Sequence, residues 1–168
     1  MKPANVCCAL AGLVAVAGAG VCMASAPPNP KDLTQGVWEL DLSKSEFCKP
    51  TPKKSVRAIY DAGWGMMVAH WTGTSADGKP IDTRYVWRYD GEKYPATIDR
   101  AAEEAISWKL VRPDRVEFTH WSKDNKITEQ LVRTVSADGQ EMTQTRQYLG
   151  AKADGKDRCV DTQVFKRR

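Results

Sequence analysis

The fold is decided by one stretch of alternating side chains, Pro80-Ile81-Asp82-Thr83-Arg84-Tyr85-Val86-Trp87-Arg88-Tyr89-Asp90-Gly91. Every second residue from Ile81 to Tyr89 can turn to one face, which is the period of a half-buried β-strand. The Asp90-Gly91 pair that follows suits the positive φ angles of a tight hairpin turn. The stretch therefore predicts a strand that turns back into an antiparallel neighbour.

Similar turns recur from about residue 36 to the end of the chain, as in Ser75-Ala76-Asp77-Gly78 and Ser136-Ala137-Asp138-Gly139. The segments between them are short and have no long amphipathic helix. We predict ten strands, at 37–42, 55–61, 65–74, 80–89, 93–98, 104–111, 115–122, 126–135, 140–149 and 158–166. Evenly spaced hairpins indicate an all-β fold, an antiparallel up-and-down meander barrel of eight to ten strands in one domain, 36–168. A two-sheet sandwich is the competing architecture.

The first residues have the pattern of a secretory signal peptide. Lys2 is the only charged residue before Lys31, an apolar run occupies 9–17, and Ala24-Ser25-Ala26 matches the small-residue cleavage pattern. We therefore predict a signal peptide at 1–26, a flexible Pro-rich lead-in at 27–35, and export to the periplasm or the extracellular space. A transmembrane anchor and a lipoprotein attached at Cys22 are the alternatives.

Two of the five cysteines, Cys48 and Cys159, lie beyond the predicted signal peptide. An even number of cysteines in an exported domain favours a disulfide, because that compartment is oxidising. Cys48 follows the first predicted strand and Cys159 begins the last, and these two strands are neighbours in a closed meander. We expect a Cys48–Cys159 bridge, with Cα atoms within about 7 Å. Two unpaired thiols are the alternative.

A family resemblance rests on several short blocks of sequence. Gly36-Val37-Trp38 resembles the Gly-x-Trp start of lipocalin and calycin barrels, in which the Trp packs across the base beneath an Arg from a late strand. The chain as a whole resembles small exported bacterial lipocalin-like proteins of unknown function. The matching blocks are residues 36–47, 76–80, 89–95, 135–139 and 164–166. The resemblance implies a barrel of the lipocalin or fatty-acid-binding type with Gly36 and Trp38 at its base, and we expect Arg133 or Arg146 to cover Trp38.

Aromatic and arginine side chains are the candidates for a binding site. A small barrel either fills its interior with such residues or lines a cavity with them. Arginines also stand within predicted strands, and a buried guanidinium seeks a carboxylate from the protein or from a ligand. Arg146-Gln147-Tyr148 resembles the Arg-x-Tyr pair that holds carboxylates in intracellular lipid-binding barrels. The candidate ligand-binding residues are Trp71, Tyr85, Trp87, Trp108, Phe118, Arg133, Arg146 and Tyr148.

Signatures of other functions are missing from the sequence. Basic and acidic residues are interspersed, with a formal net charge of +4, which gives no case for nucleic acid. His70 and His120 lack a third metal ligand at a telling spacing, so we predict neither a metal nor another cofactor. We find no catalytic motif.

The leading hypothesis is a monomeric, exported barrel that binds a small apolar or anionic amphipathic ligand. No membrane span should remain after signal cleavage. The alternatives are a structural or interaction module of the cell envelope with a filled core and, third, an isomerase- or cyclase-type enzyme that uses a barrel cavity. An empty interior volume above about 300 Å³ would favour binding.

Overall fold

The structure is a computed structural model that describes residues 32–96, 104–149 and 159–168. The predicted signal peptide and residues 27–31 of the lead-in lie outside the described residues. Ten strands are present. They are β1 (Gly36–Leu40), β2 (Lys54–Asp61), β3 (Met67–Thr74), β4 (Pro80–Trp87), β5 (Tyr94–Pro95), β6 (Ala105–Arg112), β7 (Arg115–Trp121), β8 (Ile127–Val135), β9 (Glu141–Tyr148) and β10 (Cys159–Arg167).

All ten strands belong to one antiparallel sheet. Its order is β4-β3-β2-β1-β10-β9-β8-β7-β6-β5, so the first and last strands are paired with each other. β4 and β5, which follow each other in the chain, form the two edges of the sheet. The sheet is a nearly closed barrel, and the predicted all-β antiparallel barrel is confirmed.

Local turn chemistry explains the hairpins between the strands. Gly78, Gly91 and Gly139 each have positive φ, at 87°, 79° and 72°. These values lie in the left-handed region that glycine enters without the steric penalty of a Cβ atom. The Asp-Gly signals in the sequence therefore mark true turns.

Alternate side chains of each strand fill the barrel. In β8, Leu131, Arg133 and Val135 are buried, while the residues between them are partly exposed. Large apolar side chains such as Trp87 and Phe165 form the core with them. One predicted strand is much shorter than expected: β5 has two residues, and positions 97 and 98 of the expected strand lie outside the described part of the chain.

Trp38 lies at the base of the barrel, fully buried, and donates from Nε1 to the Thr34 carbonyl at 2.7 Å. The guanidinium over its ring belongs to Arg167, with the guanidinium carbon 4.1 Å from the ring centre. The expectation that Arg133 or Arg146 covers Trp38 is wrong, because both of those side chains line the barrel interior instead. The late-strand Arg comes from the last strand, β10.

Cys48 and Cys159 form a disulfide, with Cα atoms 5.9 Å apart, and the predicted bridge is confirmed. It fixes the segment between β1 and β2 against the start of β10. This segment contains a short 3-10 helix at Leu42–Lys44, and Glu46 adds a bridge to Thr162. None of the described helices has the length and apolar character needed to cross a membrane.

Candidate ligand-binding site

A cavity of about 320 Å³ occupies one half of the barrel interior. The other half, nearer the base, is filled by side chains of β3, β6, β7 and β8 that do not line the cavity. They are Met67, Leu110, Val116 and Val135. The cavity is lined by Arg57, Ala69, Trp71, Thr83, Tyr85, Ala96, Glu104, Ile106, Trp108, Phe118, His120, Glu129, Leu131, Arg133 and Arg146. The lining residues come from strands in both halves of the sequence, because closing the sheet into a barrel brings the inward faces of these strands together.

The apolar wall is built around Trp108. Its ring is stacked on Trp87 at 4.9 Å between ring centres and lies 4.6 Å from Phe118. Trp87 does not line the cavity: it is fully buried behind Trp108. Stacked and tilted aromatic rings of this kind hold one another in place. Packing between the rings therefore fixes the shape of this wall of the cavity.

Two arginines, Arg57 and Arg133, bring buried positive charge to this wall, with exposed fractions of 8% and 2%. Both donate to one neutral atom, Oε1 of Gln144, from Arg57 Nη1 at 2.9 Å and from Arg133 Nη2 at 3.2 Å. Neither forms an ion pair with a carboxylate among the described residues. Within the described part of the chain, Nε of Arg57 and both Nε and Nη1 of Arg133 are buried without a hydrogen-bond partner.

This environment opposes the charge on both groups. Burial lowers the pKa of Arg57 to about 9, and repulsion from Arg146 and Arg133 acts in the same direction. Burial likewise lowers the pKa of Arg133 to about 10, although Tyr89 and Asp32 favour its charged form. Both guanidiniums remain protonated at neutral pH and lack the partner that a buried charge normally has.

Arg146 is different, because it has such a partner. Its Nε lies 3.1 Å from Oε1 of Glu129, an ion pair that lacks hydrogen-bond geometry. Burial acts to lower the pKa of Arg146, but Glu129 and Tyr148 outweigh it, so the pKa is raised. The Tyr148 hydroxyl accepts from Arg146 at 3.4 Å and donates to Asp161 at 3.2 Å. The Arg146 and Tyr148 pair is thus occupied within the protein.

The two histidines stand in different places. His120 lines the cavity, with Nε2 3.2 Å from a Glu104 carboxylate oxygen and Nδ1 3.1 Å from the Thr128 hydroxyl. His70 lies outside the cavity and pairs with Asp82 at 2.7 Å. No group of three His, Cys, Asp or Glu within the described ranges is placed to hold a metal ion.

A chain of hydrogen bonds links the arginines to the disulfide. Gln144 donates to Gln163 Oε1 at 3.2 Å, and Gln163 donates to Asp161 at 3.3 Å. Asp161 also accepts from the Cys48 amide at 2.8 Å. Gln144, Gln163 and Asp161 are all buried, so this chain fixes the side-chain orientation of Gln144. Oε1 of Gln144, which accepts from both Arg57 and Arg133, is thereby held facing the two guanidiniums.

Six of the eight candidate residues line the cavity, and the structure brings them together. They are Trp71, Tyr85, Trp108, Phe118, Arg133 and Arg146. Trp87 lies behind the wall, and Tyr148 contacts Asp161 and Lys49 instead. The candidate set omitted Arg57, Glu104, His120 and Glu129 among the polar lining residues. The alternation in β8 could have revealed Glu129, because it shares a face with Leu131 and Arg133.

Solved structures of similar fold include the fluorescent protein UnaG, wild type, at 17% sequence identity and a TM-score of 0.56. That match covers 80% of this chain and 97% of UnaG. As-p18, described as an extracellular fatty acid binding protein, matches at 13% identity and a TM-score of 0.54, covering 82% of this chain and 97% of As-p18. No protein-family model and no curated protein sequence matches the chain. The two solved structures show that the chain shares the barrel fold of UnaG and As-p18.

Proposed function

We propose that this protein is an exported barrel that binds a small amphipathic anion in its interior. The observation that carries the proposal is the pair of buried, cavity-lining guanidiniums, Arg57 and Arg133, which have no carboxylate partner and unpaired N–H donors among the described residues. Unpaired buried donors are unfavourable, and a ligand anion would satisfy them. Apolar walls supply most of the binding free energy in such sites, and one placed charge sets the orientation.

The interior volume supports binding over a filled core. At about 320 Å³ the cavity is larger than the volume of about 300 Å³ at which small-molecule pockets begin. It also has an aromatic wall beside its polar groups. As-p18, an extracellular fatty acid binding protein, has a barrel of this fold, so the architecture is compatible with a ligand of that chemical kind. A filled-core envelope module would leave the unpaired arginine donors without a role.

Ligand class is tested by titrating tryptophan fluorescence with decanoate and with its methyl ester. We expect decanoate to bind and the ester to bind at least tenfold more weakly, because the ester lacks the charge that Arg57 and Arg133 would pair with. Arg133→Gln should remove most of that preference, with near-ultraviolet circular dichroism as the check on folding. Equal binding of both compounds would contradict the arginine role.

A second variant tests the cavity itself. Ala69 lines it, so Ala69→Leu should fill part of the volume and weaken both ligands. Binding of neither ligand to the wild-type protein would instead favour a module without a small-molecule ligand.

Export is supported by the signal-like residues 1–26 and by the disulfide, which forms in oxidising compartments. We expect protein made from the full sequence in a Gram-negative host to be recovered from the periplasm with Pro27 as its first residue. Intact mass and N-terminal sequencing measure this. Ala26→Asp should block cleavage and leave the longer chain, whereas cytoplasmic protein that retains Met1 would contradict export.

A further inference from the structure

Three guanidinium groups line the cavity, and one of them is paired with a carboxylate of the lining. Arg57, Arg133 and Arg146 all line it, and Glu129 is ion-paired with Arg146. The other carboxylate in the lining, Glu104, lies beside His120. Two buried positive charges, those of Arg57 and Arg133, are therefore left without an ion-pair partner among the described residues.

These two charges converge on one point. Arg57 Nη1 and Arg133 Nη2 both donate to Oε1 of Gln144. A single-centred anion placed beside that oxygen would reach both guanidiniums, whereas two separate carboxylates of one ligand would not converge there. The neutral amide of Gln144 holds the arginines together without neutralising them.

Three nitrogens of these two groups are buried without a hydrogen-bond partner among the described residues. They are Nε of Arg57 and Nε and Nη1 of Arg133. The guanidinium carbon of Arg133 lies 4.7 Å from the ring centre of Trp108, which also lines the cavity. A phosphate monoester carries three terminal oxygens and close to two negative charges at neutral pH. Its two negative charges match the two positive charges that Arg57 and Arg133 leave without an ion-pair partner among the described residues.

We infer that the ligand of this barrel is a phosphate monoester with an apolar tail, its phosphate held between Arg57 and Arg133. The inference rests on the proposed function and narrows it from any amphipathic anion to a compact dianion. A carboxylate or a sulfate ester would neutralise only one of the two charges. The tail would lie along the wall formed by Ile106, Trp108 and Phe118, which the cavity exposes.

Binding of this head group should depend on pH, because its second proton dissociates near pH 6. Arg57 and Arg133 stay protonated across the range from pH 5 to pH 8. Other groups around the cavity also carry charge or titrate, so a matched ligand of constant charge is required. These groups are Asp32 and Tyr89 beneath it, Tyr85 in β4, Glu104 before β6, His120 in β7, Glu129 in β8, Arg146 in β9 and Asp161 in β10.

The test compares decyl phosphate with decyl sulfate, which stays a monoanion throughout, by calorimetry at pH 5 and pH 8. We expect the ratio of their affinities to rise about tenfold in favour of the phosphate, following the dianion fraction. A constant ratio would overturn the dianion inference while leaving the proposed anion-binding function intact. Failure of decyl phosphate, decyl sulfate and decanoate alike to bind would remove the proposed function as well.

A substitution at the shared oxygen gives a second test. Gln144→Glu places a carboxylate between the two guanidiniums, so the thermal unfolding midpoint of the ligand-free protein should rise. Decyl phosphate affinity at pH 8 should fall at least tenfold, and more than that of decyl sulfate. The control is Gln147→Glu, the same change on the exposed face of β9, which should alter neither measurement. Unchanged phosphate affinity in a folded Gln144→Glu protein would overturn the inference.

Discussion

The guanidinium carbon of Arg167 lies 4.1 Å from the ring centre of Trp38, and this pair closes the base of the barrel. Arg167 also donates to three backbone carbonyls, those of Leu33, Gln35 and Gly139, at 2.6–2.9 Å. One side chain thus ties the residues before β1, the β8–β9 turn and the last strand together. The aromatic ring supplies the surface against which its planar group rests.

Trp38→Ala should lower the free energy of unfolding by about 3–5 kcal/mol, as large core truncations do. The ring is fully buried, so its loss leaves a cavity beneath Arg167. Urea denaturation followed by circular dichroism measures the change. Trp64, which is 93% exposed, provides the matched control: Trp64→Ala should stay within about 0.5 kcal/mol of wild type. Similar losses for both variants would contradict the structure of the base.

Gly36→Ala should destabilise the same region for two reasons. Gly36 has φ of 136°, and an added Cβ would lie 2.3 Å from Nη1 of Arg167. We expect a loss of about 1–3 kcal/mol in the same denaturation assay. In an Arg167→Ala background the steric part disappears, so the further loss caused by Gly36→Ala should be smaller. A loss of equal size in both backgrounds would show that the two residues do not interact.

Removing the disulfide should destabilise the barrel strongly. Its cysteines are 111 residues apart in sequence, and chain-entropy arguments give about 4–5 kcal/mol for a loop of that length. The double variant Cys48→Ser and Cys159→Ser should therefore unfold at lower denaturant concentration. Reduction of the wild type should reproduce this midpoint, whereas the reducing agent should not affect the double variant. Equal midpoints for oxidised wild type and double variant would contradict the stabilising role.

Asp41 gives a pH-dependent prediction. Its ion pair with Lys166, at 2.7 Å, is the main cause that lowers the pKa of Asp41 to about 2, and Ser43 adds to it. The unfolded carboxyl titrates near pH 3.9, so the stabilisation is complete above about pH 4 and is lost as the pH falls through 2. The difference in unfolding free energy between wild type and Asp41→Asn should shrink over that window. In a Lys166→Met background the difference above pH 4 should be smaller.

The strands were predictable because their information is local. The alternation from Ile81 to Tyr89 and the Asp-Gly turns fix strand and hairpin without reference to the rest of the chain. Pairing of Cys48 with Cys159 followed from compartment and from the closure of a meander. Both predictions require only the order of the strands along the chain, which can be read from the sequence.

Depth within the barrel was not predictable in the same way. Tyr85 and Trp87 share a face of β4, yet Tyr85 lines the cavity and Trp87 lies behind its wall. Arg167 covers Trp38 at the base, while Arg133 reaches the cavity. The stagger between strands that are far apart in sequence decides which end of the barrel each side chain reaches. Alternation reports the face of a strand but not the level along the barrel axis.

The sheet order has a consequence for how the barrel assembles. Among the described residues every strand pair joins consecutive strands except β1 with β10, so the strand pairing between the four-strand meander β1–β4 and the six-strand meander β5–β10 lies at that one pair. Contacts between distant residues are slow to form, because the chain must first search for them. The disulfide lies beside the pairing of β1 with β10, which are far apart in sequence, and it shortens that search. In stopped-flow experiments we expect oxidised chains to refold faster than reduced ones, so that the cavity forms no faster than β1 and β10 find each other.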